Sequence, residues 1–169
     1  MNESQQQQLR FDVDGYELVT AALMDLANEF PGLEEGEEIK FATEPSGEGV
    51  AIFPTMGSSI YDERESITGH VTQLCQYPFT VVYRASGLNS PRRMAAKEWL
   101  DTFGRWIEKQ PVTIGETTYT LESWPDLTDN REIREVTRQT PGYLVNVDED
   151  KSENWITEII IRYRNEFDR

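Results

Sequence analysis

The residues that could support nucleophilic catalysis are His70 and Cys75, which lie in the stretch SITGHVTQLCQYPFTVVYR (66–84). A thiol becomes a nucleophile when a histidine within hydrogen-bonding reach takes its proton. The stretch alternates, however, and such alternation is typical of a β-strand whose successive side chains point to opposite faces. His70 and Cys75 are an odd number of residues apart. We therefore expect a surface histidine and a buried cysteine that do not meet.

Carboxylates are the other groups that could act as bases or metal ligands. Asp12 and Asp14 precede a predicted helix, and helix capping explains them. The run DEDKSE (148–153) has oxygen ligands at alternate positions, but it lacks the central glycine and the spaced glutamate of an EF-hand calcium loop. The ligands for zinc are too few, and motifs of phosphate loops, dinucleotide folds, serine hydrolases and zinc proteases are absent. We expect no catalytic residue, no metal, no cofactor and no enzyme.

The charge of the chain limits its partners. Its 169 residues include 31 acidic and 16 basic ones, which gives a net charge of −15 at pH 7. Nucleic-acid binding requires a basic surface, so we expect no specific nucleic-acid binding and no membrane binding. Cys75 is the single cysteine, which excludes an internal disulfide and favours a reducing compartment. Because there is neither a membrane-spanning apolar run nor a signal peptide, we expect a soluble protein made in the cytoplasm.

The elements that must position these residues begin with a helix. We expect residues 1–10, with their glutamine run, to be a flexible N-terminal arm, and residues 11–169 to be a single α+β domain. The first helix has Asp14 as N-cap, with Glu17 three positions later as in a capping box, and ends at Pro31. Its apolar face comprises Tyr16, Val19, Leu23, Leu26, Ala27 and Phe30.

A second helix is predicted after Ser90, its N-cap, with Pro91 at the first helical position. Its apolar stripe indicates core packing and comprises Ala96, Trp99, Leu100, Phe103, Trp106 and Ile107. Strand patterns follow at 49–55, 117–124, 132–139, 142–147 and 154–167. The sequence thus predicts an α+β fold, in which two α-helices pack on one face of a mostly antiparallel β-sheet, without an internal repeat.

The alternating stretch 66–84 is much longer than the usual strand of about 5–6 residues. Pro78 cannot donate a ladder hydrogen bond, so we expect it at an edge, a bulge or a bend that divides the run. Residues 66–76 would then form a long projecting β-hairpin with the segment after Gly57. The side chains that a neighbouring subunit would cover are Ile60, Ile67, Val71 and Cys75. The alternative is a strand that bends and stays within its own sheet.

Three segments carry a resemblance to a known family. They are ITGHVTQLCQYPFTVVYRASGLNSPRRMAAKEWLDTFGRWIEKQP (67–111), TRQTPGYL (137–144) and ENWITEIIIRYRNEF (153–167). This pattern resembles the tail terminator, tail-completion or minor capsid proteins of long-tailed bacteriophages and Firmicutes prophages. The resemblance implies an α+β virion protein that forms a homo-oligomeric ring, most often a hexamer. That ring would cap the tail tube protein and join it to the head-side connector or stopper protein.

Two other functions remain open from the sequence. One is a stopper protein of the head–tail connector, and the other is a binding module that forms no ring, such as an assembly chaperone. In a ring, an acidic lumen would repel DNA that passes through it, over a Debye length of about 8 Å. The glutamates that we expect to contribute are Glu34, Glu35, Glu37 and Glu38. The simpler interpretation of these residues is an acidic surface that promotes solubility.

Overall fold

The computed structural model describes residues 10–85, 90–127 and 130–169, without the side chains of 90–94. The chain is an α+β protein whose strands are mostly antiparallel. Its elements are β1 (Arg10–Phe11), α1 (Val13–Ala27), β2 (Lys40–Phe41), β3 (Gly49–Pro54), β4 (Ser59–Glu65), β5 (His70–Ala85), α2 (Ser90–Ile107), β6 (Val112–Ile114), β7 (Thr117–Tyr119), β8 (Arg131–Arg138), β9 (Tyr143–Val147) and β10 (Glu153–Asp168).

Two 16-residue strands form the centre of the sheet. β5 and β10 pair antiparallel along their whole length, from Ala85 opposite Glu153 to His70 opposite Asp168. The predicted alternation is confirmed from Val71 to Val81, where the odd-numbered side chains of β5 are buried and the even-numbered ones between them are partly exposed. Because β10 pairs with one side of β5, and β3 and β4 pair with the other side, β5 is a central strand of the sheet.

Pro78 lies opposite a break in the outer strand. β3 ends at Pro54 opposite Phe79, and β4 begins at Ser59 opposite Gln76, so that four residues, 55–58, face only two on β5. The N–H of Thr55 donates to the carbonyl oxygen of Pro78 at 3.1 Å. In an antiparallel strand the N–H and C=O of one residue point to the same side, so the missing N–H of Pro78 falls at this bulge.

The expectation that Pro78 divides the strand is therefore wrong, although its position at a bulge is confirmed. On the other side, Pro78 pairs with Ile160 in unbroken register. A proline can stay within a long strand here because only the bulged side would have needed its N–H.

The second half of the chain repeats this arrangement. β8 ends at Arg138 opposite Ile159, and β9 begins at Tyr143 opposite Ile156, so that residues 139–142 again make a four-residue bulge opposite two. Gln139 N–H donates to Glu158 O at 2.7 Å, as Thr55 does to Pro78.

Apart from the short strands β1, β2, β6 and β7, each half thus has the order helix, strand, four-residue bulge, strand, turn, long strand. β3 ends opposite Phe79 of β5, and β8 ends opposite Ile159 of β10. Phe79 and Ile159 are themselves paired with each other. The halves are therefore related by a pseudo-twofold axis near this pair. The sequence itself carries no visible internal repeat, and the relation between the halves lies in the register of their strands.

The two edges of the sheet differ. β1 pairs with the outer side of β4, Arg10 opposite Ile60 and Phe11 opposite Ser59, and β2 runs parallel beside β3. Along the opposite edge, no strand among the described residues pairs with the outer side of β8 or β9. β6 and β7 form a separate two-stranded sheet. Of the predicted arm of residues 1–10, Arg10 belongs to β1, and residues 1–9 lie outside the described chain.

The N-cap of α1 is Asp12, not Asp14 as predicted from the sequence. The carboxylate of Asp12 accepts a hydrogen bond from the Gly15 N–H at 3.1 Å, and the helix begins at Val13. Asp14 lies in the first turn, where its negative charge favours the helix dipole. Hydrogen bonds from Arg131 of β8 and Tyr163 of β10 hold the carboxylate of Asp12 at this position.

The predicted apolar faces of the helices are largely buried. In α1 and the segment after it, the buried members are Val19, Leu23, Leu26, Ala27 and Phe30; in α2 they are Ala96, Leu100, Phe103, Trp106 and Ile107. Trp99 is partly exposed and its ring stacks on Phe103, with centroids 5.5 Å apart. The predicted capping by Ser90 and Pro91 concerns side chains outside the described part of the chain.

Candidate functional site

His70 and Cys75 lie on opposite faces of β5, as the sequence predicted. His70 is partly exposed, and its Nδ1 lies 2.8 Å from Oδ1 of Asp168. Cys75 points to the other face and is completely buried. Burial raises the pKa of the Cys75 thiol to about 12, so this thiol is neutral and a poor nucleophile at physiological pH.

The carboxylates of the loop 148–152 bind groups of the chain itself. Asp148 accepts a hydrogen bond from the Arg84 guanidinium at 2.7 Å, and Asp150 accepts one from the Ser152 N–H at 3.0 Å. Among the described residues, no group of three or more histidine, cysteine, aspartate or glutamate side chains could hold a metal ion. The loop thus acts as a hydrogen-bonded turn between β9 and β10.

A buried ion pair lies where α1, β8 and β10 meet. The Arg131 guanidinium donates to both carboxylate oxygens of Asp12, at 2.9 and 2.8 Å, and the Tyr163 hydroxyl donates to Oδ2 at 2.7 Å. The side chains of Arg131 and Asp12 are only 12% and 7% exposed. The sequence did not reveal this cluster, because Asp12 is more than a hundred residues from both Arg131 and Tyr163 and the three residues belong to different parts of the fold.

The electrostatics of this cluster favour a structural role. Burial raises the pKa of Asp12, but the hydrogen bonds from Arg131, Tyr163 and Gly15 outweigh it and lower the pKa overall. The hydrogen bond to Asp12 likewise raises the pKa of Arg131, while burial raises that of Tyr163. Asp12 and Arg131 are therefore both charged and Tyr163 is neutral at physiological pH, so no member is poised to exchange a proton.

The predicted hairpin interface needs a correction. Val71 and Cys75 are both 0% exposed, because the chain itself covers them, so a neighbouring subunit is not what buries them. Ile60 is partly buried against the core, and only Ile67, in the turn between β4 and β5, is fully exposed. The period-two pattern identified the buried face correctly but could not tell which chain covers it.

The four predicted glutamates lie in the loop between α1 and β2. Glu34, Glu35 and Glu38 are exposed and Glu37 is partly exposed. Gly36 adopts φ +79°, a left-handed conformation that glycine accepts without strain. Glu38 forms an ion pair with Lys40, whereas the other three glutamates line one cavity of about 400 Å³.

The aromatic wall of this acidic cavity is formed by Tyr83 and Trp99. Burial raises the pKa of Tyr83, and the negative charges of Glu37, Glu48 and Glu34 raise it further. These charges thus make a region of negative potential on the surface. A region of this kind repels phosphate and attracts cations.

The outer edge of β9 is the most exposed apolar strand of the described chain. Tyr143, Leu144, Val145 and Val147 are between 38% and 51% exposed, and with Asn146 they complete a strand without a charge. An edge strand offers unpaired N–H and C=O groups to another chain, and proteins usually protect such edges with charges or a covering segment. No described strand pairs with the outer edge of β9, and β9 itself carries no charge.

A second apolar surface lies at the opposite edge of the sheet. The bulge 55–58, the end of β3 and the start of α1 surround a groove of about 460 Å³. The exposed side chains that line it include Phe11, Val13, Phe53 and Met56. The two apolar edges are therefore on opposite sides of one molecule.

Similarity to known proteins does not indicate a function for this chain. No protein-family model matches the chain, and no curated protein matches it. In the described part of the chain, neither helix combines the length and the apolar character that crossing a bilayer requires.

Proposed function

We propose that this protein is a structural virion protein that acts as a tail terminator in the neck of a long-tailed bacteriophage. In this role it forms a ring that caps the tail tube and joins it to the head-side connector. The observation that carries the proposal is the unprotected apolar edge of β9, opposite a second apolar edge beside β1. The resemblance of segments 67–111, 137–144 and 153–167 to tail terminators supplies the identity of the assembly.

Opposite edges that differ from each other favour a cyclic assembly. A contact between unlike surfaces, repeated from copy to copy, closes into a ring when the rotation between copies permits it. Six copies of the 19.5 kDa chain would form a ring of 117 kDa. Such a hexamer would be assembled in the cytoplasm of the host bacterium and end in the virion neck.

The sheet provides the parts that this role requires. We take both helices to cover one face of the sheet: the ring of Tyr16 in α1 lies 5.7 Å from Tyr77, and that of Trp99 in α2 lies 5.5 Å from Tyr83. The β4–β5 turn, with Ile67 at its tip, would then be the projecting part of the hairpin. It is available to the tail tube or to a neighbouring copy because no described residue covers Ile67.

The acidic loop fits a channel through which DNA passes. Glu34, Glu35 and Glu37 line one cavity. Burial raises the pKa of Tyr83 beside it, and the charges of Glu37, Glu48 and Glu34 raise that pKa further. If this surface faces the lumen, it repels phosphate within about 8 Å and lets DNA slide without binding. The net charge of −15 supports the same behaviour for the ring as a whole.

Deletion of the gene from the phage or prophage that carries it tests the proposal. A terminator stops growth of the tube, so particles made without it should have tubes of uneven and excessive length that are not joined to heads. Expression of the chain from a plasmid should restore uniform tails. Tails of normal length that fail only to retain DNA or to bind heads would instead indicate a stopper. An absence of tube polymers would indicate an assembly chaperone, and either result refutes the terminator.

A further inference from the structure

The pseudo-twofold symmetry of the fold reveals a vacant strand position. In the first half, β1 pairs with Ser59 and Ile60, the first two residues after the bulge 55–58. The equivalent residues after the second bulge are Tyr143 and Leu144 of β9. No described strand occupies their outer side, although the fold accepts one at the equivalent place.

We propose that residues 1–11 of a second copy of this chain fill this position, adding a strand to the outer edge of β9. Residues 1–9 would extend β1 toward the N-terminus. Strand addition to an exposed edge is a common mode of recognition, because main-chain hydrogen bonds supply affinity with any sequence. The side chains of the added strand, and the second copy to which it belongs, would also contact the exposed apolar side chains of β9.

The length of the segment favours a second copy over the same one. Fully extended, nine residues span at most about 30 Å. β1 and β9 are on opposite edges of the sheet, with β4, β5 and β10 between them, which is about 19 Å at 4.8 Å per strand. Passing over either face adds on the order of 10 Å. Residues 1–9 would therefore be fully extended in reaching β9 of their own copy, and these nine residues can pair along β9 only in a second copy.

Charge supports the same contact. Copies that each carry −15 repel one another, so association is least opposed where both surfaces lack charge. β9 has no charged residue, and Glu3 and Arg10, which are of opposite sign, are the only charged side chains among residues 1–11. The glutamines at positions 5–8 add hydrogen-bonding groups without charge.

The contact deepens the proposed ring, because each copy would give an arm to one neighbour and accept an arm from the other. Only the closure of these contacts into a ring rests on the proposed function. The pairing itself is a property of the isolated protein and can be measured in solution.

Hydrogen exchange of β9 in a chain that lacks residues 1–9 tests the pairing. A synthetic peptide of residues 1–11 should slow exchange of the β9 amides, by the factor 1 + [L]/Kd, which is about tenfold when the peptide is at nine times its Kd. Val145→Lys should abolish this protection. The matched control Ile67→Lys introduces the same charge at another exposed apolar residue and should leave the protection unchanged. In the full chain, β9 protection should increase with protein concentration, and removal of residues 1–9 should end that increase.

Two results would overturn the inference. One is β9 exchange that a millimolar concentration of the peptide does not alter, whatever the oligomeric state of the full chain. The other is β9 protection that is already complete in the truncated chain at low concentration, which would mean that another segment of the same copy covers the edge. Tail length in phage lacking the gene is independent of this contact. If phage that lack the gene make normal tails, and protection of the β9 amides still depends on residues 1–9, the proposed neck function is refuted and the proposed pairing is retained.

Discussion

Replacement of Arg131 by methionine tests the view that the buried ion pair secures the start of α1 to the sheet. Arg131 donates to both oxygens of the Asp12 carboxylate, which also caps the helix through the Gly15 N–H. Methionine keeps an unbranched apolar side chain but removes both charged donors. Asp12 would then be a buried carboxylate that retains only the hydrogen bonds from Gly15 and Tyr163.

The expected loss follows from the burial of the pair. Removing one partner of a buried ion pair costs about 3–5 kcal/mol, because the remaining charge is left without compensation. Two of the hydrogen bonds to Asp12 remain, so we expect the lower end of that range, about 3 kcal/mol in the free energy of unfolding. For a chain of this length, that loss corresponds to a decrease in Tm of about 6–12 °C.

Urea unfolding at pH 7, followed by tryptophan fluorescence, measures this loss. The matched control is Arg162→Met, because Arg162 also lies on the sheet and pairs with Glu135 at 3.4 Å, but Glu135 is 57% exposed. A solvent-screened pair of this kind contributes at most about 1 kcal/mol. Equal losses in the two variants would refute the reasoning, since they would show that burial of the Asp12 pair adds nothing.

The pH dependence separates an electrostatic role from simple packing. The pKa of Asp12 is lower in the folded chain than in the unfolded one, so its contribution is complete above the unfolded pKa of about 3.9 and is lost as the pH falls through the folded pKa. Without Arg131, burial is expected to raise that pKa, and protonation then relieves the buried charge. The difference between wild type and Arg131→Met should therefore be larger at pH 7 than at pH 3. A difference that does not vary with pH would assign the loss to packing alone.

Three further predictions concern the core. Phe103→Ala should cost about 3–5 kcal/mol in urea unfolding, because its completely buried ring contacts three other aromatic rings; a loss under 1 kcal/mol would contradict this packing. Cys75 should react with a thiol reagent only at the rate of unfolding, since it is buried and its pKa is about 12; rapid labelling in native buffer would contradict its placement. Gly104→Ala should destabilise the chain despite a gain of about 1 kcal/mol in helix propensity, because the new methyl group would displace Arg138 from Glu108; a higher Tm would show that Arg138 adapts.

Local patterns in the sequence were sufficient to predict most of the elements. Alternation predicted the buried and exposed faces of β5, and helical spacing predicted that Leu23 and Phe103 are buried. These patterns succeed because each reports the direction of side chains within one element. The strands predicted at 132–139, 142–147 and 154–167 are present for the same reason.

Features that depend on pairing between distant elements could not be predicted in this way. Asp12 and Asp14 are equally suitable caps by type, and they are distinguished by contacts that Asp12 makes with Arg131 and Tyr163, 119 and 151 residues away. The placement of Val71 and Cys75 shows the same limit, since alternation identifies a covered face but not the chain that covers it. The repeat of the fold was also hidden, because the bulges TMGS (55–58) and QTPG (139–142) are defined by register rather than by residue type.

The difference between the two halves of the repeat determines which assembly the proposed contact can form. Two equivalent bare edges would allow two copies to pair about a twofold axis and stop at a dimer. Here β1 covers the strand edge of the first half, while the edge of β9 has no described partner. An arm given at one edge and accepted at the other makes a contact between unlike surfaces, which must continue from copy to copy until it closes. Loss of residues 1–9 should therefore leave single copies rather than dimers, which sedimentation at several protein concentrations can distinguish.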